Sequence, residues 1–137
     1  MRVEMTRKPQ LDQEQRLTFR VAVRPGAGID AHLTFAGRKL LAHVGDISAE
    51  GMFVTLDRGP LAALKVDTTV DVEVAFEGET FALYGVVRSQ REGGYGLFFP
   101  ERDPAGRANP VGRFGRISAQ LQRASLSQRL KVLKLHD

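Results

Sequence analysis

Val70 to Phe76 (VDVEVAF) alternates apolar and polar residues without a break, the period of a strand with one buried face. Val70, Val72, Val74 and Phe76 read as inward, with Asp71 and Glu73 as solvated charges. The same signature recurs in short stretches bounded by turn residues. Arg16 to Arg24 alternates, with Leu17, Phe19, Val21 and Val23 apolar. Ile29 to Phe35, Leu40 to Ile47, Gly51 to Leu56, Thr80 to Arg88 and Tyr95 to Phe99 follow. Between them lie Pro25-Gly26-Ala27-Gly28, Gly37-Arg38-Lys39, Asp57-Arg58-Gly59-Pro60, Glu77-Gly78-Glu79 and Glu92-Gly93-Gly94. Short strands at regular intervals, joined by glycine-containing turns, predict an antiparallel sandwich or barrel. A barrel also hides its edge strands.

After Phe99 the pattern changes period. Pro100 to Pro110 is a loop, and Asn109-Pro110 suits the N-cap and first position of a helix at about 110–135. Phe114, Ile117 and Leu121 form one apolar stripe, and Leu126, Leu130 and Leu133 form another. The two stripes do not join smoothly across Ala124-Ser125, so a bend or a second helix is expected there. The first stripe is expected to pack on the sheet, the second on the sheet or on another copy of the chain. Residues 1–15, polar and interrupted by Pro9, read as a flexible arm. Residues 16–137 form one domain.

Several function classes fall away. With no cysteine among 137 residues, disulfides, thiolate catalysis and cysteine-held zinc are excluded. The absence also fits a cytoplasmic protein. His32, His43 and His136 have no ligand spacing. Asp46, Ser48 and His43 lie too close in sequence to form a nucleophile, base and orienter, so no enzyme is expected. No apolar run approaches a membrane span. Gly26-Ala27-Gly28-Ile29-Asp30-Ala31 matches a loose dinucleotide pattern but leads into a strand rather than a helix. Gly112-Arg113-Phe114-Gly115 follows an all-strand chain, not the helix that a KH loop needs. Residues 1–24 carry net charge +3, 25–100 carry −4 and 101–137 carry +5. Basic ends beside an acidic body suit an anionic partner or a solvated surface. A small barrel binding nucleic acid nonspecifically is a weaker alternative. It needs aromatics interleaved with Lys/Arg on one face, and this chain has no Trp and two Tyr.

Two motifs remain. Arg16 and Arg20 are four apart and share a face whether the segment is strand or helix. Guanidiniums so placed fork onto phosphate, pair with a guanine edge or stack on a base. Further on comes Asp46-Ile47-Ser48-Ala49-Glu50-Gly51. If extended, it puts Asp46 and Ser48 on one face. The carboxylate accepts hydrogen bonds only, which suits a donor edge, and the hydroxyl does either. Gly51 fits the last position of a type I turn and would let a ligand approach the backbone. Each motif alone also fits surface charges or a structural turn.

Arg16-x-x-x-Arg20 followed by Asp46-x-Ser48-x-x-Gly51, set among strands, resembles the PilZ domain. Tyr95-Gly96-Leu97-Phe98-Phe99 resembles that family's last barrel strand, and Phe114 to Arg123 its terminal helix. The resemblance implies a mainly β fold: a six- to seven-stranded antiparallel Greek-key barrel with a C-terminal α-helix. It implies a non-enzymatic receptor for cyclic di-GMP, with Arg16 and Arg20 on phosphate or guanine, Asp46 and Ser48 on guanine edges, and Gly51 in the turn. No cofactor beyond that ligand is implied. Gln15 stands where many members carry a further arginine, so one bound ligand is expected unless Arg24 or Arg7 compensates. Output is expected through a protein partner that reads an N-terminal arm ordered by ligand, in control of motility, polysaccharide (biofilm) or virulence. A homodimer through the C-terminal helix stays open. So does an adaptor that keeps the fold but binds only protein.

Overall fold

A computed structural model describes residues 20–24 and 26–136, with side chains up to residue 127. Its elements in chain order are β1 (Val21–Ala22), β2 (Ile29–Phe35), β3 (Arg38–Ile47), β4 (Gly51–Leu56), β5 (Thr69–Phe76), β6 (Glu79–Arg91), β7 (Gly94–Phe98) and α1 (Val111–His136). The alternating sequences become alternating burial. In β5, Val70, Val72, Val74 and Phe76 are buried and Thr69 and Asp71 are exposed.

All pairings are antiparallel, in the order β1-β3-β2-β5-β6-β7-β4, and β4 pairs back onto β3 to close a six-stranded barrel. Three consecutive strands, β5 to β7, form a meander, and β4 reaches it by a long connection yet lies beside β7. That is Greek-key topology. Strand β1 is the addition. One edge of β3 pairs with β2 from Arg38 to Ala42 and with β1 at Asp46 and Ile47. β1 therefore takes up the edge that β2 leaves, at the end of β3 where the second motif begins.

Three hairpins turn on two residues each. At Ala36-Gly37, Glu77-Gly78 and Glu92-Gly93 both residues have positive φ. This is the mirror-image turn whose twist matches the flanking strands. The first hairpin turns at Ala36-Gly37 rather than at Gly37-Arg38-Lys39, so β3 is longer than Leu40 to Ile47 suggests. The expected strand from Arg16 is described only from Arg20 onward and pairs as β1 at Val21–Ala22; Arg16 and the arm of residues 1–15 lie outside the described residues.

Leu33, Ile47, Met52, Val54, Val72 and Val87 are among the side chains fully buried in the barrel. Tyr95 is buried too. Its hydroxyl is satisfied by the 57–68 connection, accepting from Leu61 N–H (2.8 Å) and donating to Leu61 C=O (3.1 Å). α1 closes the core with Phe114 and Ile117. The Phe114 ring stands edge-on to Phe99, centroids 4.8 Å apart. That contact contributes about 0.5–1.5 kcal/mol beyond burial. Further along, α1 lies against β1, with Leu121 packed on the core.

Asn109 does not cap the helix. Its side chain accepts from Tyr84 N–H (2.8 Å) and donates to Tyr84 C=O (2.8 Å) and Pro100 C=O (2.6 Å). The amide thus stands in for a missing strand beside β6 and fixes where the helix starts. The first helical hydrogen bond runs from Phe114 N–H to Pro110 C=O. The helix is also one element, continuous through Ala124-Ser125. The apolar stripes shift face there without interrupting the backbone.

Candidate ligand-binding site

The site forms on the outer barrel surface where β1, β3, β4, β7 and β6 lie side by side. Two irregularities create it. In β3, Val44 opposes Val54, but Asp46 opposes Phe53 and Ile47 opposes Met52. The register slips by one residue at Gly45. In a regular strand Asp46 would share the inward face of Val44, because side chains alternate with period 2. The bulge instead turns Asp46 outward and lets Ile47 fill the core. Gly45 fits there under the Phe53 ring, where a Cβ would already be in close contact.

The second irregularity lies opposite, in β6. Val87 opposes Leu97, but Ser89 opposes Gly96, so Arg88 is the extra residue. Val87 is buried and Arg88 exposed. The Arg88 guanidinium lies over the Phe98 ring, 4.9 Å from its centroid. Bulges commonly re-aim side chains beside binding sites, and here one supplies a carboxylate and the other a guanidinium to one face.

Arg20 immediately precedes β1. Its Nη1 donates to Asp46 Oδ1 at 2.6 Å, with the arginine side chain half exposed and the aspartate about a quarter exposed. The two motifs thus touch across the β1–β3 pairing. A half-exposed pair of this kind contributes roughly 0.2–1 kcal/mol, little enough for a better partner to displace it.

Ser48 is buried, unlike Asp46. Its Oγ accepts from Glu50 N–H and donates to Gly51 C=O, both at 3.4 Å, and its N–H donates to Gly51 C=O at 2.9 Å. The hydroxyl shapes the turn and lines the site from below. Gly51 opens β4 opposite Phe98. A Cβ on it would collide with the Leu97 carbonyl oxygen. The close approach that requires glycine is therefore the protein's own strand β7. The reason differs from the one its place in a turn suggests.

Together Arg20, Ser48, Gly51, Arg88, Ser89 and Phe98 border a shallow groove of about 190 Å³. Its floor is low because Gly96 carries no side chain; a Cβ there would meet Ser89 Oγ. Glu50 adds one carboxylate to the rim. The sequence motifs did not point to Arg88, Ser89 and Phe98. The available signal was local: Phe81, Leu83, Gly85 and Val87 keep strict alternation, and Arg88-Ser89 breaks it with two polar residues in a row. Arg16 lies outside the described residues, so its distance from the groove is not part of this geometry. Among the described residues no cluster of His, Asp or Glu could hold a metal ion, and no helix is long and apolar enough to cross a membrane.

The model of the PilZ domain family matches residues 7–111, most of the chain. The solved PilZ domain of YcgR from Escherichia coli, with c-di-GMP, superposes with a TM-score of 0.64 at 17% identity, covering 83% of this chain and 96% of that one. A crystal structure of an uncharacterized Legionella protein gives a TM-score of 0.48 at 13% identity, covering 81% of this chain and 98% of that one. No curated protein matches the sequence.

Proposed function

The chain belongs to the PilZ domain family, and on that premise we propose that it is a non-enzymatic receptor for cyclic di-GMP. The observation that carries the proposal is the convergence of Arg20 and Asp46 on one outer face, in contact at 2.6 Å, above the Ser48–Gly51 turn. The YcgR PilZ domain, solved with c-di-GMP, has the same fold.

The chemistry suits a guanine dinucleotide. Asp46 is acceptor-only and complements the N1–H and N2–H edge of guanine. Arg20, released from Asp46 or shared with it, forks onto a phosphate or the O6/N7 edge, and a bidentate guanine contact is worth about 1–3 kcal/mol. That exceeds the roughly 0.2–1 kcal/mol of the exposed ion pair it replaces, so the exchange favours the ligand. Arg88, held over the Phe98 ring, offers a second cation for a base or phosphate. Ser48 and Gly51 serve the ligand indirectly, by fixing the turn on which Asp46 and the rim are mounted.

A groove of 190 Å³ is small beside the roughly 300–1,000 Å³ of ordinary ligand sites. The described residues supply a platform that covers one side of a dinucleotide. We assign the other side to the segment carrying Arg16, which would fold over the ligand and order the arm of residues 1–15. A face whose shape and charge change with ligand is then available to a protein partner in the cytoplasm. Gln15 reduces the number of guanidinium planes, which favours one ligand molecule per chain.

Backbone amide NMR of the full chain titrated with cyclic di-GMP tests the location. Shifts are expected at residues 20–22, 46–51, 88–89 and 96–98. Shifts confined to another face would refute the site.

A further inference from the structure

At the opposite end of the β3–β4 hairpin lies a groove of about 390 Å³ that the ligand site does not use. Leu40, Leu41, Leu56 and Leu61 form its apolar wall. Leu40 and Leu61 are only partly buried against the core, and Leu41 is 41% exposed, one of the few large apolar side chains so open to water. The rim is basic. Arg38, Lys39 and Arg58 border it, and all three are exposed. Against them stands a single lining carboxylate, Asp57, which is held by His43 Nε2 at 2.9 Å. Lys39 reaches out to Glu73 (3.0 Å). Arg38 and Arg58 have no acidic partner among the described residues.

The backbone adds a second observation. β4 ends at Leu56, opposite Ala42, whereas β3 extends back to Arg38. Beyond that pairing, among the described residues, only the Leu41 carbonyl is used on this side, by Asp57 N–H at 2.9 Å. Hydrogen-bonding direction alternates along an antiparallel strand. Lys39 therefore presents its N–H and C=O to the same side as Leu41, and among the described residues no strand lies there. β2 occupies the other edge. An open strand edge, an apolar wall and unpaired cations meet within one groove.

We infer that this groove receives an extended acidic segment of a partner protein, added as a short strand along the open edge of β3 at Lys39. Edge addition draws affinity from main-chain hydrogen bonds and specificity from alternate side chains. Apolar residues of the segment face the leucines, and its carboxylates face Arg38 and Arg58. Unpaired edges are normally protected by charge or cover, and here lysine and arginine would reject all but an acidic strand. The inference concerns a surface separate from the dinucleotide site and stands without it.

The test uses the full chain and a fluorescent seven-residue peptide alternating glutamate and valine, with a lysine-for-glutamate peptide as control. Saturable anisotropy with the acidic peptide only, and slowed hydrogen exchange at the Lys39 amide, are expected. The double variant Arg38→Glu, Arg58→Glu is expected to weaken peptide binding by about tenfold or more, each tenfold being about 1.4 kcal/mol. Its melting temperature and its cyclic di-GMP titration are expected to match wild type, which separates this claim from the receptor proposal. Absence of acidic-peptide binding, equal binding by the lysine peptide, or undiminished binding in the charge-reversed variant overturns the inference. So does association of the groove with anionic phosphatidylglycerol vesicles in place of the peptide.

Discussion

Gly51 is glycine because a carbonyl stands where its side chain would be. The oxygen of Leu97, on the neighbouring strand, occupies the Cβ position. Gly51→Ala must push β4 and β7 apart at the floor of the site. Overpacking of this kind costs about 1–3 kcal/mol, so urea denaturation should show a midpoint lowered by a corresponding amount. Ligand affinity should fall with it, since the Ser48–Gly51 turn shifts. Arg20 is the contrasting case. Half exposed and joined to Asp46 by a surface ion pair, it contributes little to stability. Arg20→Ala should leave the melting temperature nearly unchanged while ligand affinity drops about ten- to a hundredfold, the equivalent of roughly 1–3 kcal/mol.

At the scale of elements, the bulges decide which residues meet. Deleting Gly45 would remove the bulge while leaving Val44, Asp46 and Ile47 opposite Val54, Phe53 and Met52, but it would take away the carbonyl that accepts from Val23 N–H beside β1. The deletion variant is expected to stay folded by circular dichroism and to bind ligand more weakly in titration, because Arg20 loses its fixed place beside Asp46. Motif spacing alone could not reveal this. Asp46 and Ser48 are two apart, which in an unbroken strand implies a shared face, and they separate because the strand ends in a turn that buries Ser48. The strands themselves were legible, since period-2 alternation is written in residue types. The bulge at Arg88 was visible only as a lapse in that alternation. Asn109 misled for a physical reason: its amide suits both a helix cap and a backbone mimic, and only the tertiary position of Tyr84 decides between them. Tyr95 holds a different join, between the barrel and the 57–68 connection. Tyr95→Phe should cost about 0.5–3 kcal/mol in denaturant titration and leave ligand affinity unchanged.

The whole molecule is a closed barrel whose added strand β1 links two regions. Upstream, β1 follows directly on Arg20 at the candidate ligand site. On its flank it touches α1, where Leu121 and Ala124 border a shallow cleft with Val21 and Val23. Closure of six strands and capping by Phe114 give a scaffold that holds the candidate site on one outer face. The barrel and its terminal helix could be anticipated from periodicity. The closure through β3 and β4, and the position of β1 on the edge that β2 leaves, depend on long-range pairing that no local pattern encodes. Ligand that binds only the folded chain should stabilise it by mass action, about 2.7 kcal/mol at a hundred times Kd. A rise in melting temperature with cyclic di-GMP, absent with linear pGpG, is the expected result.

Isothermal titration of the full chain with cyclic di-GMP, run beside Arg20→Ala, tests the receptor claim most directly. Saturable heat in the wild type with an inflection near one ligand per chain, and its loss or strong weakening in the variant, is the predicted outcome. No heat in the wild type, or heat that Arg20→Ala leaves unchanged, would contradict it.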